Sequence, residues 1–192
     1  DAEYRITEFE EKPSHPKSDL ASMGIYIFDT AVLRRYLVED AARTDSEHDF
    51  GKNILPRMIA DNVPVYAYPF EGYWKDVGTF ESLWQANMDL LSDTPPLSLN
   101  DPDWRIYSGN QSLPPHYVGP EGSLVSSLAG EGAVIQGRVE HSVIFYDVTV
   151  EAGATVTDSV VMPGTVIEAG ATVEHAILGE RCRVRAGAVV RG

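Results

Sequence analysis

In the C-terminal part of the chain an apolar residue recurs about every sixth position, with small residues close behind. Val150-Glu-Ala-Gly-Ala-Thr-Val156 returns as Ile167-Glu-Ala-Gly-Ala-Thr-Val173 and again as Val184-Arg-Ala-Gly-Ala-Val-Val190, offset by 17 residues each time. Ser142-Val-Ile-Phe145, Ser159-Val-Val-Met162 and Ala176-Ile-Leu-Gly179 keep the same offset. Such spacing predicts a parallel β-helix of hexapeptide repeats, with three short faces per coil, apolar residues inside and small residues at tight corners. A single coil cannot bury its apolar side, so each must stack on the next.

Residues 1–92 follow a different pattern, which reads as α/β. Tyr4–Phe9 and Val63–Phe70 are expected strands, the second confined to an edge or its middle by Pro64 and Pro69. Ser22–Phe28 is apolar on both faces and reads as a buried strand. Thr30 is the expected cap of a helix carrying Leu33, Tyr36 and Leu37 on one side. Asp49–Asn62 predicts another helix, shortened or kinked by Pro56. Thr79 is expected to cap a third, with Phe80, Leu83, Trp84, Leu90 and Leu91 towards a core. Residues 93–117 hold five of the twelve prolines and predict an irregular connector. Leu97, Leu99, Trp104, Ile106 and Tyr107 are too apolar for a free tether, so an ordered strap packed on one domain is expected. The β-helix should begin near Val118, with an irregular first coil. The expected division is therefore 1–92, 93–117 and 118–192.

The net charge of -14 argues against nucleic acid or an acidic membrane surface as partner, since both are polyanions. No run of about 18 apolar residues is present, so no membrane span is expected. Neither is there a charged-then-apolar leader. Cys182 is the one cysteine; no intrachain disulfide can form, a reducing cytoplasm is the default setting, and the thiol is expected to be a small apolar filler of the β-helix. The chain opens on Asp1 rather than Met and reads as a processed or truncated piece.

Chemistry concentrates in three segments of the α/β part. In Glu8-Phe-Glu-Glu-Lys-Pro13 a strand runs into a Pro-stopped turn, leaving Glu11 and Lys12 at its mouth. A lysine there can meet phosphate and a carboxylate can accept from sugar hydroxyls; a solvated charge run is the plainer alternative. In Leu20-Ala-Ser-Met-Gly-Ile-Tyr26 the small Ser22 and Gly24 admit either a ligand or tight packing. In Gly72-Tyr-Trp-Lys-Asp-Val-Gly-Thr79, Asp76 can hold a hard cation such as magnesium, or close a turn onto nearby backbone N–H groups. Lys75 can neutralise phosphate, and Tyr73 and Trp74 are supporting candidates.

Together EFEEKP (8–13), SDLASMGIYIF (18–28), HDFGKNILP (48–56), GYWKDVGTFESLWQANMDLL (72–91) and the stretch from SLPP (112–115) into SLVS (123–126) resemble bacterial glucose-1-phosphate adenylyltransferases, in order and spacing. The resemblance implies a Rossmann-like nucleotidyltransferase domain, of which residues 1–92 are the C-terminal part, followed by a left-handed parallel β-helix. It implies formation of ADP-glucose and pyrophosphate from ATP and glucose 1-phosphate, in glycogen synthesis. Glu11, Lys12 and Ser22 then contact glucose 1-phosphate, and Asp76 helps bind a catalytic Mg2+. Homotetramers are the family's assembly, so self-association through the β-helix is expected. The family's Gly-rich nucleotide loop and its other metal-binding aspartate are absent from these 192 residues, so the chain alone is expected to be inactive.

Three rivals remain. Another sugar nucleotidyltransferase would share fold and mechanism. A β-helix acyltransferase would use a histidine such as His141 or His175 as general base, although both are expected at bland surface positions. A non-catalytic regulatory paralogue would keep the fold, but the intact EKP, SMG and DVGT motifs argue against a degraded site.

Overall fold

A computed structural model describes residues 3–107, 109 and 111–192. The chain divides into two compact units, Asp1–Gly72 and Tyr73–Gly192.

The first unit is built around Tyr36, Ile54 and Met58, with Phe28, Val32, Phe50, Val63 and Val65 packed against them. Helix α1 spans Thr30–Ala41, and its cap is Asp29, not Thr30: the Asp29 carboxylate accepts from the N–H groups of Ala31 and Val32. Tyr36 is buried and hydrogen-bonds Asp61, whereas Leu37 is exposed. The expected Asp49–Asn62 helix is two pieces, a π-helical turn Phe50–Ile54 and helix α2, Leu55–Ala60. Pro56 supplies the reason. It has no N–H to continue the ladder, and the wider turn forms immediately before it.

The strands expected in this unit are largely absent. Tyr4–Phe9 and Val63–Phe70 meet at a single antiparallel bridge, Arg5 to Tyr66, flanked by Ile6 N–H to Val65 O (2.8 Å) and Ala67 N–H to Tyr4 O (2.8 Å). Ser22–Phe28 is not a buried strand: Ile25 and Ile27 are 75% and 99% exposed. No neighbour pairs with this segment among the described residues. Its two-residue alternation survives nonetheless, since Tyr26 and Phe28 turn inward onto the Phe50 ring.

In the second unit, helix α3 spans Phe80–Asp89. Thr79 caps it in a reciprocal arrangement with Ser82. Met88, Trp84 and Leu91 pack on Val143, Val160, Phe145 and Ile177 of the β-helix, while Phe80, expected in the core, is exposed. The connector that follows is irregular. The side chains expected to pack it down, among them Trp104, Ile106 and Tyr107, are exposed. It has no regular ladder to bring them to a common face.

From Tyr117 the chain winds through three parallel sheets of five, five and four strands. Val134 pairs with Thr149, Thr149 with Val166, and Val166 with Arg183, so each coil stacks on the next. Inside lie Ile135, Val139, Ile144, Val150, Val156, Val161, Ile167 and Val173, with alanines at the corners. The first coil keeps the 17-residue step, Tyr117 to Val134. It is the second coil that is irregular: Ile135 pairs with Val150 but Val139 with Val156, so two residues are missing between them. Gly137 occupies that cut corner, where a Cβ would collide with the carbonyl oxygen of Ala154.

Serines stack at another corner. Ser142 and Ser159 are wholly buried. The Ser142 hydroxyl donates to Glu140 O (2.8 Å) and accepts from Ser159 N–H (3.1 Å). Ser159 repeats this with Thr157 O (2.6 Å) and Ala176 N–H (3.1 Å). Cys182 is exposed rather than a core filler. It stands one coil beyond buried Thr165, whose Oγ1 accepts its N–H (3.2 Å), and no described coil covers it. No helix among the described residues is long and apolar enough to cross a membrane.

Candidate functional site

The first unit brings two of the three expected segments to one place, the turn Phe50–Gly51. Asp49 starts that turn: its carboxylate accepts from Lys52 N–H (2.8 Å) and its carbonyl from Asn53 N–H (2.9 Å). Gly51 is buried beneath the Glu11 carboxylate and the Phe9 ring, so closely that a Cβ there would collide with Glu11 Oε2. Phe50 stacks on Tyr26, with ring centroids 5.9 Å apart. The Tyr26 hydroxyl in turn shares a hydrogen bond with Ser22 Oγ (2.9 Å). Ser22 Oγ also accepts from Gly24 N–H (3.1 Å), and Gly24 has the positive φ of 71° that this small turn requires. Glu11 and Ser22 are thus tied to adjacent residues of one turn.

Lys12 behaves differently. Its backbone is left-handed, with φ of 47°, and its side chain is 91% exposed, the ammonium 3.6 Å from Glu11 Oε1. A cation so placed is hydrated and available to an anion. The nearby Lys17 is engaged by Glu8 and by Glu10 (3.1 Å). Glu11, Gly51 and Lys52 also line a shallow open cleft with Phe9, Pro13 and Pro56.

Asp76 lies in the second unit. Its Oδ1 accepts from Gly78 N–H (3.0 Å), closing a turn directly before the cap of α3. The chain around it is held by Asp89, in the last turn of α3. Asp89 Oδ2 receives Lys75 Nζ (2.6 Å) and the Tyr73 hydroxyl (2.8 Å). These two partners, Lys75 first, hold the Asp89 carboxyl below the usual carboxylate range. Partial burial, helped by the adjacent carboxylate, pushes the Tyr73 phenol up. Lys75 therefore points at Asp89, and Trp74 is 43% exposed. At the outer corner of the β-helix, His141 Nδ1 meets Asp158 (2.6 Å) and His175 lies against the Trp84 ring, 4.4 Å between centroids. His175 thus packs against α3, while His141 is tied to Asp158, whose carbonyl oxygen accepts the Trp84 indole N–H.

Comparison with known proteins gives the setting. Residues 1–93 match the family described as nucleotidyl transferase, and residues 115–191 the family described as GlmU-like, C-terminal hexapeptide. Over 157 residues, 82% of the chain, the sequence is 57% identical to proteins named glucose-1-phosphate adenylyltransferase from Bacillus thuringiensis (strain Al Hakam) and Bacillus anthracis. The chain is a homologue of the glucose-1-phosphate adenylyltransferases. A third relative of that name, from Bacillus mycoides (strain KBAB4), is 55% identical over the same length. The chain spans 42% of the length of these adenylyltransferases.

Sequence reasoning found the segments bearing Glu11, Ser22 and Asp76 but gave no part to Phe50 and Gly51, where the first two converge, nor to Asp89. The Phe50–Gly51 turn had a signal: an aspartate cap ahead of an aromatic and a glycine, inside HDFGKNILP. Asp89 had none, because its role depends on a fold-back of the chain across α3.

Proposed function

We propose that the full-length protein carrying this chain makes ADP-glucose and pyrophosphate from ATP and glucose 1-phosphate, feeding glycogen synthesis. The observation that carries the reading is 57% identity to adenylyltransferases over 82% of the chain. In the reaction a phosphate oxygen of glucose 1-phosphate attacks the α-phosphorus of ATP. The new P–O bond replaces the α–β anhydride bond, and pyrophosphate leaves. Nucleophile and leaving group are already anionic, so positioning and charge neutralisation matter more than proton transfer.

In this proposal the chain supplies the sugar-phosphate side. Lys12 binds the phosphate as a point charge. The Glu11 carboxylate accepts from sugar hydroxyls, and Ser22, with the Tyr26 hydroxyl donating to its Oγ, donates its one proton to the substrate. Tyr73, Lys75 and Trp74 shape the loop that presents Asp76. Among the described residues no group of three His, Cys, Asp or Glu side chains could hold a metal ion. A single exposed carboxylate such as Asp76 nevertheless suits Mg2+, which takes one or two carboxylates and completes its shell from phosphates and water. Such an ion, when bound, neutralises phosphate charge. The same reading carries a cytoplasmic setting and self-association through residues 118–192. The 192 residues alone contain no Gly-rich nucleotide loop and are expected to form no ADP-glucose.

The test is an assay of the full-length protein with glucose 1-phosphate and each nucleoside triphosphate. Preferred turnover of ATP supports the reading. Preference for UTP, dTTP or GTP would replace it with another sugar nucleotidyltransferase, and no turnover at all with a bona fide folded protein would favour a regulatory paralogue.

A further inference from the structure

Asp40 is a carboxylate that the reading above does not use, yet it is 4% exposed and lies in the last turn of α1. Both features disfavour an anion: burial strips its water, and a helix C-terminus carries negative partial charge. Two side chains from the next loop compensate. Ser46 Oγ donates to Asp40 Oδ1 (2.8 Å), and His48 Nδ1 meets Asp40 Oδ2 (2.8 Å). His48 N–H also donates to Ser46 Oγ (3.0 Å), closing a three-residue lock.

The lock holds a backbone that would not hold itself. His48 has φ of 56°, a left-handed conformation that a side chain with a Cβ adopts reluctantly. That conformation turns the chain into Asp49 and the π-helical turn Phe50–Ile54. Two residues beyond His48 is the ring on which Tyr26 stacks, and three beyond is the glycine on which Glu11 rests. The contact chain therefore runs from Asp40 through His48 to Phe50 and Gly51. From there one branch reaches Glu11 and the other reaches Ser22 by way of Tyr26.

We propose that Asp40 is a positioning residue for the glucose 1-phosphate end of the site, acting through His48 on the Phe50–Gly51 turn. This rests on the function proposed above. Loss of the lock lets the turn relax, so Glu11 and Ser22 lose their common floor while ATP recognition is untouched.

The experiment uses steady-state kinetics of the full-length protein with Asp40→Ala, His48→Gln and the double variant. Each single change is expected to raise KM for glucose 1-phosphate about tenfold, with KM for ATP within about twofold, because a displaced positioning group weakens one substrate selectively. The double variant is expected to be no worse than the poorer single, since both break one path. Calorimetric titration of glucose 1-phosphate should show the same loss of affinity. An active wild type whose Asp40→Ala variant is merely less heat-stable, with unchanged glucose 1-phosphate KM, overturns the proposal; so do additive effects in the double. Should Asp40→Ala fail to fold, Ser46→Ala with His48→Gln carries the same comparison. A wild-type protein that ignores glucose 1-phosphate overturns the function itself, and this proposal with it.

Discussion

Ser159→Ala isolates one buried hydroxyl whose partners are all known. The Ser159 side chain is fully buried, donates to Thr157 O at 2.6 Å and accepts from Ala176 N–H at 3.1 Å. Removing it does not orphan Thr157 O, which still receives His175 N–H (3.1 Å). It does orphan the Ala176 N–H, in a place water cannot reach. The cost is that of one unsatisfied buried donor, about 1–3 kcal/mol. Ser142→Ala should cost the same, because Glu140 O keeps Asp158 N–H while Ser159 N–H loses its acceptor. Ser127→Ala makes the control. Its hydroxyl has the same pattern, to Val125 O (2.7 Å) and from Ser142 N–H (3.0 Å), but Ser127 is only half-buried and water can substitute. Thermal unfolding of the 192-residue chain reads the difference, at about 2–4 °C for each kcal/mol in a chain of this size. Hydrogen exchange should localise the loss at Ala176 after Ser159→Ala. Equal losses at Ser127 and Ser159, or no loss at Ser159, would refute the argument from burial.

Three further outcomes follow from the geometry. In the full-length protein, Lys12→Gln should mainly raise KM for glucose 1-phosphate and Asp76→Asn should mainly lower kcat; an unchanged sugar-phosphate KM would remove Lys12 from the site. Asp89 has a folded pKa below that of the unfolded chain, so its stabilising contribution is present above the unfolded value and is lost as pH falls through the folded one. The stability gap between wild type and Asp89→Asn should thus be widest near neutrality and close in acid below about pH 4; a gap independent of pH in denaturant titrations would contradict it. Hydrogen exchange should be slow across 139–190, where three ladders interlock, and faster across 1–70 except in α1, where a single bridge replaces a sheet; uniform protection would show the first unit to be self-sufficient.

The two halves of the chain were unequally legible, for a physical reason. A β-helix is quasi-one-dimensional, so its interior positions repeat in sequence at the period of its coils. Val150, Ile167 and Val184 announce one another, and their ladder is as expected. The cut corner at Gly137 escaped because a two-residue deletion looks like noise within one repeat. In the first unit, strand formation depends on partners that periodicity cannot supply. Ser22–Phe28 kept its alternation but found no ladder, and Tyr4–Phe9 kept one bridge. The site divided along the same line. Motifs gave the segments of Glu11, Ser22 and Asp76, since charged and small residues at turns are local signals. The Phe50–Gly51 floor, the Asp40 lock and the Asp89 anchor are tertiary, and no local pattern carries them.

The position of α3 joins the solenoid to the chemistry of the loop before it. Met88 and Trp84 on one face of the helix, and Leu91 just past its end, press onto the sheet that contains Val143, Val160 and Ile177. The Trp84 indole N–H donates to Asp158 O (2.7 Å), fastening the helix to a corner residue whose own carboxylate holds His141. The last turn of the helix carries Asp89, which grips Lys75 and Tyr73, while the first turn is capped by Thr79, three residues after Asp76. The Asp76 loop is therefore pinned at both ends of a helix that is itself laid on a stack of coils. A solenoid of this kind has a rigid outer face because every coil is registered by its neighbours, and a loop referenced to that face inherits its rigidity. If Asp76 has the role proposed above, preorganisation of this sort matters more to it than added contacts. The corner that His141 and His175 occupy is the seat of the helix: His175 lies against the Trp84 ring, and Asp158, which holds His141, accepts the indole N–H.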